Sequence, residues 1–167
     1  WGAAGPASPA PEVDRVARLA MSDTGGGGLS SRLFHAGRER NGLCYSIFSH
    51  HEGFEDTGVF VISTGTRPKD ARKATELSFK EFHALASTPV PEDELSATKS
   101  AMIGRLLRST GTAISLARFY GGRWRARLPM ETPDTRAEAI SRVTAEQVQR
   151  VAQRIAAGAG QVRLAFV

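Results

Sequence analysis

From Gly25 to Ser46 the chain carries four consecutive glycines, then Leu29-Ser30-Ser31-Arg32-Leu33-Phe34, then Arg38-Glu39-Arg40-Asn41-Gly42-Leu43-Cys44-Tyr45-Ser46. A glycine run breaks regular structure, because each residue lacks the Cβ that restricts the backbone. Beyond it, Ser30 or Ser31 can cap the first free N–H groups of a short helix, with Leu33 and Phe34 as its apolar anchors. Asn41-Gly42 supplies a tight turn in which positive φ is easy, and Leu43 to Ser49 then reads as a strand. That turn can bring Arg38, at the end of a helix over 30–39, and Tyr45, in the strand, to one edge.

The remaining pattern fills in around this segment. Trp1 to Ala4 reads as a strand end, and Glu12 to Met21 as a short amphipathic helix with Val13, Val16, Ala17 and Ala20 on one side. Leu43 to His51 and Gly58 to Gly65 are rich in Val, Ile and Phe and read as two strands joined by a hairpin loop at Gly53 to Thr57. Val59-Phe60-Val61-Ile62 is apolar on both faces, so this strand should be central or covered on both sides. Pro68 suits the first turn of a helix running to about Ala86, its buried side formed by Ala71, Ala74, Phe79, Phe82 and Leu85. Glu92-Asp93-Glu94 puts acids at the positive end of the next helix, which carries Leu95, Met102, Leu106 and Leu107. A bend at Ser109 to Gly111, a helix from Ile114 to Tyr120 and another from Asp134 to Arg142 follow. Thr144-Ala145-Glu146-Gln147 is a capping-box signature for a last helix to about Ala157, and Gln161 to Val167 reads as a closing strand. The order predicts a single α+β domain over residues 1–167.

Several of these segments together resemble the second half of the insulinase/pitrilysin zinc peptidases, the inverzincins that include the mitochondrial processing peptidases. There a glycine-rich stretch precedes residues similar to Ser30-Ser31-Arg32-Leu33-Phe34, and an Arg, six intervening residues and a Tyr contact substrate. Phe54-Glu55-Asp56-Thr57-Gly58, Glu92-Asp93-Glu94-Leu95 with Lys99, and Val143-Thr144-Ala145-Glu146-Gln147-Val148 resemble further family segments in the same order and spacing. Asn41 stands where a basic residue is common in the family, and Cys44 where Ala is common. The resemblance implies an antiparallel-rich mixed sheet with helices packed mainly on one face, lacking part of its first strand, of which Trp1 to about Ala4 remains, and it assigns substrate contact to Arg38 and Tyr45. A tyrosine hydroxyl can donate to the oxyanion of a tetrahedral intermediate, and a guanidinium can hold a substrate carbonyl. Read from the residues alone, Tyr45 packs in the sheet and Arg38 sits at a helix C-terminus, where a cation suits the dipole.

The family's zinc motif, His-x-x-Glu-His, places two ligands and a general base on one helix. None of His35, His50, His51 and His83 starts or ends such a motif. His50-His51-Glu52 has the right residue types at the wrong spacing, because neighbours on a strand point to opposite faces. The expectation is therefore a peptidase half without its own metal, with zinc in a partner half.

With 41% hydrophobic and 23% charged residues, the 167-residue chain has the make-up of a globular domain large enough for a proper core. No apolar run approaches the roughly 20 residues of a membrane helix, and Trp1-Gly2-Ala3-Ala4-Gly5-Pro6 lacks the basic and apolar regions of a signal peptide. A cytoplasmic or periplasmic location is the resulting expectation, with Arg-, Ala- and Gly-rich usage that suits a GC-rich bacterial genome. Cys44 is the single cysteine, which excludes an internal disulfide, and no histidine stands at an interpretable spacing to make it a nucleophile.

Three other segments invite functional readings. Gly25 to Gly28 lacks the Lys-Ser/Thr of a phosphate loop and suits a hinge or loop. Arg123-Trp124-Arg125-Ala126-Arg127 has the basic and aromatic look of a nucleic-acid patch; the simpler account is a helix end with Trp124 packed and the arginines in water. Glu55-Asp56 belongs to a turn, with no acid-base role. The function expected is the substrate-binding C-terminal domain of an insulinase-like zinc endopeptidase, acting on extended peptides with a metal-bearing half or second subunit, as a homo- or heterodimer. A non-catalytic subunit or scaffold of the same fold, and a basic nucleic-acid-binding module, are the alternatives.

Overall fold

A computed structural model describes residues 2–5, 32–53, 58–125 and 127–157. Among these residues the sheet has three strands, β1 (Gly2–Gly5), β2 (Cys44–Gly53) and β3 (Gly58–Thr66), in the spatial order β1-β3-β2, all antiparallel. The strand that is apolar on both faces is thus the central one, as the pattern at 59–62 predicts. Gly2 pairs with Val61 and Gly5 with Gly58 on one side, and Gly53 with Gly58 and Ile47 with Thr64 on the other. The register slips between Cys44 and Ser46, leaving Tyr45 as the extra residue of a β-bulge.

Before the sheet, one α-helical turn, α1 (Arg32–Phe34), passes into a π-helical turn, His35–Arg40. After it come a 3₁₀ turn at Pro68–Asp70 and the helices α2 (Ala71–Ser87), α3 (Glu92–Ser109), α4 (Ala113–Arg125), α5 (Pro133–Ser141) and α6 (Ala145–Ala157). The capping box at 144–147 is made in both directions: Thr144 N–H donates to Gln147 Oε1 at 2.9 Å, and Gln147 N–H to Thr144 Oγ1 at 3.3 Å. Thr132 caps α5, accepting from Thr135 N–H, with Pro133 at its first position.

Alternation explains the layering. Cys44, Ile47 and Ser49 of β2 and Phe60 and Ile62 of β3 are buried, while Tyr45, Ser46, Phe48 and His50 are exposed. Helix α2 packs on β3, with Phe82 stacked on Phe60 at 5.3 Å, and α6 packs on α2. Gln149 and Gln153 of α6 both donate to the Ala86 carbonyl at the end of α2, satisfying one of its orphan acceptors. Val148, Val151, Ala152 and Ile155 form the buried stripe of α6 and join Leu33, Leu85, Leu95, Met102, Ile140 and Val143 in one core. The result is an α+β arrangement with helices on one face of an antiparallel sheet.

Some side chains differ from the sequence reading. In α2 the buried row is Ala74, Ser78, Phe82, Leu85 and Ala86; Ala71 and Phe79 are only half-buried. Ser78 is accommodated because its hydroxyl donates to the Ala74 carbonyl at 2.8 Å. Leu107 is exposed, and α4 continues past Tyr120 through Gly121 and Gly122 to Arg125. The helix read at 12–21, the loop at 54–57 and the strand read at 161–167 lie outside the described residues.

Candidate functional site

Gly37 and Gly42 set the approach to the strand. Gly42 takes φ +58°, in the left-handed region that favours glycine, and its N–H donates to the Arg38 carbonyl at 3.1 Å. Leu43 N–H donates to the Gly37 carbonyl at 2.9 Å, and Asn41 Nδ2 to the Ala36 carbonyl at 2.7 Å, so the turn is held at three points. Gly37 lies flat against β2: a Cβ there would sit 2.9 Å from Cys44 Sγ and 3.3 Å from Ile47 Cδ1.

This turn carries Arg38 outward, its guanidinium 5.2 Å from the centre of the Phe34 ring, a cation–π contact that leaves its N–H donors to solvent or ligand. Tyr45 follows at the bulge with 69% of its surface exposed, on the side of β2 away from the core. Tyr45 is thus not packed as the residue-only account has it, while Arg38 does lie in the last helical turn, as that account expects. Beyond Tyr45, Phe48 and His50 stack at 6.0 Å on the same face of β2. The strict alternation Ser46, Phe48, His50 is the sequence signal that would have singled out this pair.

The segment is anchored from behind. Arg32 of α1 donates through Nε and Nη2 to both carboxylate oxygens of Glu94 in the first turn of α3, at 2.7 and 2.9 Å. The hydrogen bonds it donates to Glu94 raise the Arg32 guanidinium above its ordinary value, against the lowering effect of burial. His35 Nδ1 and the Glu39 carboxylate pair one helical turn apart on the surface. Cys44 is buried beneath the site, and burial pushes its thiol up, only partly countered by the Arg38 charge. A raised thiol is a poor nucleophile, in keeping with a small core residue.

Arg123 and Trp124 reverse the expected arrangement, while Arg125 and Arg127 are exposed as expected. Arg123 is buried, donating through Nε to the Pro129 carbonyl at 2.8 Å, pairing through Nη1 with Glu131 at 2.5 Å and lying over the Phe119 ring. Trp124 is 78% exposed. Adjacent helical residues point about 100° apart, and the phase is set by Glu131, which also pairs with Arg136 at 3.4 Å. Arg127 sits at φ +51° and closes α4 in a Schellman turn, with Leu128 N–H on the Arg123 carbonyl and Arg127 N–H on that of Trp124. Gly25 to Gly28 and Glu55-Asp56 lie outside the described residues.

A zinc site needs three or more converging ligands. Among the described residues no three His, Cys, Asp or Glu side chains gather so as to hold a metal, and these residues do not fit zinc. Among them, too, no helix is long and apolar enough to cross a membrane.

Residues 7–102, more than half of the chain, match the family model described as the peptidase M16 inactive domain. The chain belongs to this family. An uncharacterized zinc protease of Streptomyces coelicolor is 36% identical over 85 residues, covering 51% of this chain and 18% of the relative. The human mitochondrial-processing peptidase subunit alpha is 28% identical over 133 residues, covering 80% of this chain and 25% of that subunit. The solved peptidase M16 inactive domain from Pseudomonas fluorescens superposes with a TM-score of 0.80 at 23% identity, covering 92% of this chain and 37% of that one, so the two share a fold. The chain spans less than a third of the length of these two curated relatives. It is an M16 inactive, C-terminal-type domain of zinc-protease-like proteins, and the expected metallopeptidase kinship holds.

Proposed function

We propose that this M16 inactive domain is the substrate-binding half of a zinc metalloendopeptidase whose metal lies in a separate half, of the same polypeptide or of a second subunit. The observation that carries the reading is Tyr45: a bulge lifts an aromatic hydroxyl into the open on a sheet face on which no described helix packs, two bonded turns from an exposed Arg38. A fold that needed Tyr45 for its core would bury it. An extended peptide crossing this face meets the Tyr45 hydroxyl as a donor for the developing oxyanion and the Arg38 guanidinium as a clamp on a carbonyl. The outer side of β2, an end strand among the described three, offers main-chain groups for a peptide running alongside.

Joining the chain to its metal-bearing half tests this. Tyr45→Phe keeps the ring and removes one donor, so turnover falls about 10²–10³-fold. Arg38→Ala raises KM as well as lowering kcat. Unchanged kinetics in both variants overturns the assignment. The family model's description as an inactive domain favours a second reading, a non-catalytic subunit of the same fold. A partner half without His-x-x-Glu-His, combined with intact peptide binding, decides for it.

A further inference from the structure

Residues 95–130 contain seven arginines and lysines and no acid. The rest of the chain holds 15 basic residues against 17 acidic ones, so the whole positive excess resides in α3 after its first turn, α4 and the turn that follows. Four of the six large hydrophobic residues exposed among the described residues, Leu107, Ile114, Trp124 and Met130, fall in or immediately beside the same two helices. Charge and exposed apolar surface therefore coincide.

Helix α4 is where they meet. Among the described elements it packs extensively against none, and only Arg123 of its thirteen residues is buried. On the side away from Arg123, the spacing i, i+3, i+7, i+10 aligns Ile114, Ala117, Gly121 and Trp124 on one stripe about 15 Å long. Ile114 and Trp124 are 68% and 78% exposed, and the exposed Arg118 and Arg125 border the stripe. Two glycines inside a helix weaken it relative to alanine. Nothing lies within 4 Å of where a Cβ of Gly121 or Gly122 would stand, so no contact within the described chain accounts for them.

We propose that this face of α4 is the docking surface for an acidic amphipathic helix of a protein partner. Ile114 and Trp124 act as ridges, Ala117 and Gly121 form the floor on which the partner's backbone settles, and Arg118 and Arg125 meet its carboxylates. Charge selects this occupant. A second copy would bring arginines against arginines, which opposes association. A gap left by glycine serves a close-packed helix and is wasted on a fluid lipid surface. Arg123, the centre of the basic run, is buried and committed to Glu131 and the Pro129 carbonyl, out of reach of a nucleic acid.

Trp124 reports on its own docking. In the full chain with Trp1→Phe it is the sole tryptophan, and its emission shifts to the blue when covered. The probe is a stapled peptide of about 20 residues, long enough to hold a helix, with Leu and Ala on one face and Glu elsewhere. A scrambled isomer, phosphatidylglycerol vesicles and a DNA duplex are titrated in parallel. The expected result is a saturable blue shift with the amphipathic peptide alone, weakened by added salt. Affinity falls about tenfold or more for Arg118→Glu/Arg125→Glu. Gly121→Leu, which fills the floor while leaving Trp124 in place, weakens it similarly. Circular dichroism melts establish that these variants fold. Equal binding of the scrambled peptide, no binding, preference for vesicles or DNA, or affinity unchanged by both variants overturns the proposal.

Discussion

Replacing Gly37 with alanine tests how the site is aimed. Its added methyl would sit 2.9 Å from Cys44 Sγ and 3.3 and 3.6 Å from Ile47 Cδ1 and Cγ2. Optimal separations begin near 3.5 Å, so the sulfur has to retreat by about 0.6 Å. Cys44 and Ile47 are 6% and 5% exposed, which leaves little room to retreat. Overpacking of this kind costs about 1–3 kcal/mol, and exchanging glycine for alanine in a helical turn returns about 1 kcal/mol. The net loss should be about 1 kcal/mol. Cys44→Ala alone should cost about 1–2 kcal/mol through the small cavity it leaves. In the Cys44→Ala background the close contact to sulfur is gone, so Gly37→Ala becomes nearly neutral. Urea unfolding followed by circular dichroism resolves this: 1 kcal/mol moves the midpoint by about 0.3–1 M at ordinary m-values. If the two substitutions add to within about 0.3 kcal/mol, the contact between the turn and β2 does not govern the approach, and the account of Gly37 fails.

Two further predictions concern the supports of the site. Glu94→Gln removes the charge from a two-pronged, part-buried pair and should cost about 1–2 kcal/mol; an unmoved urea midpoint would show that Arg32 does not hold α1 to α3. The Cys44 thiol is raised on folding, so the stability it contributes is present below its unfolded value near pH 8.5 and is lost as pH rises through the folded value. Denaturation midpoints should therefore fall more steeply above about pH 9 in the native chain than in Cys44→Ala, and parallel curves would contradict the buried-thiol reading.

Much of the fold was legible because local signals agreed with one another. The doubly apolar stretch at 59–62 became the central strand, and Thr144 with Gln147 closed the predicted capping box. What was hidden depended on partners distant in sequence or on helical phase. Arg32 meets Glu94 across 62 residues, and nothing near Arg32 announces it. Trp124 and Arg123 exchanged roles because a carboxylate eight residues beyond Arg123 decides which of them faces inward. Arg38 and Tyr45 could be named from the sequence by resemblance alone; their exposure depends on the positive φ of Gly42 and on the bulge, and only coordinates reveal the bulge.

The bulge separates this strand into a part the core requires and a residue it does not. Cys44 points inward, Ser46 outward, Ile47 inward and Phe48 outward, a regular alternation once Tyr45 is left out of the count. A chain shortened by that one residue would keep every inward side chain of β2 in phase, whereas a deletion at Ile47 or Phe48 would turn the following positions over. Tyr45 is in this sense an insertion into a finished strand. Selection can alter or discard it without reopening the packing beneath, and members of a family sharing this strand can gain or lose the hydroxyl while keeping the same scaffold.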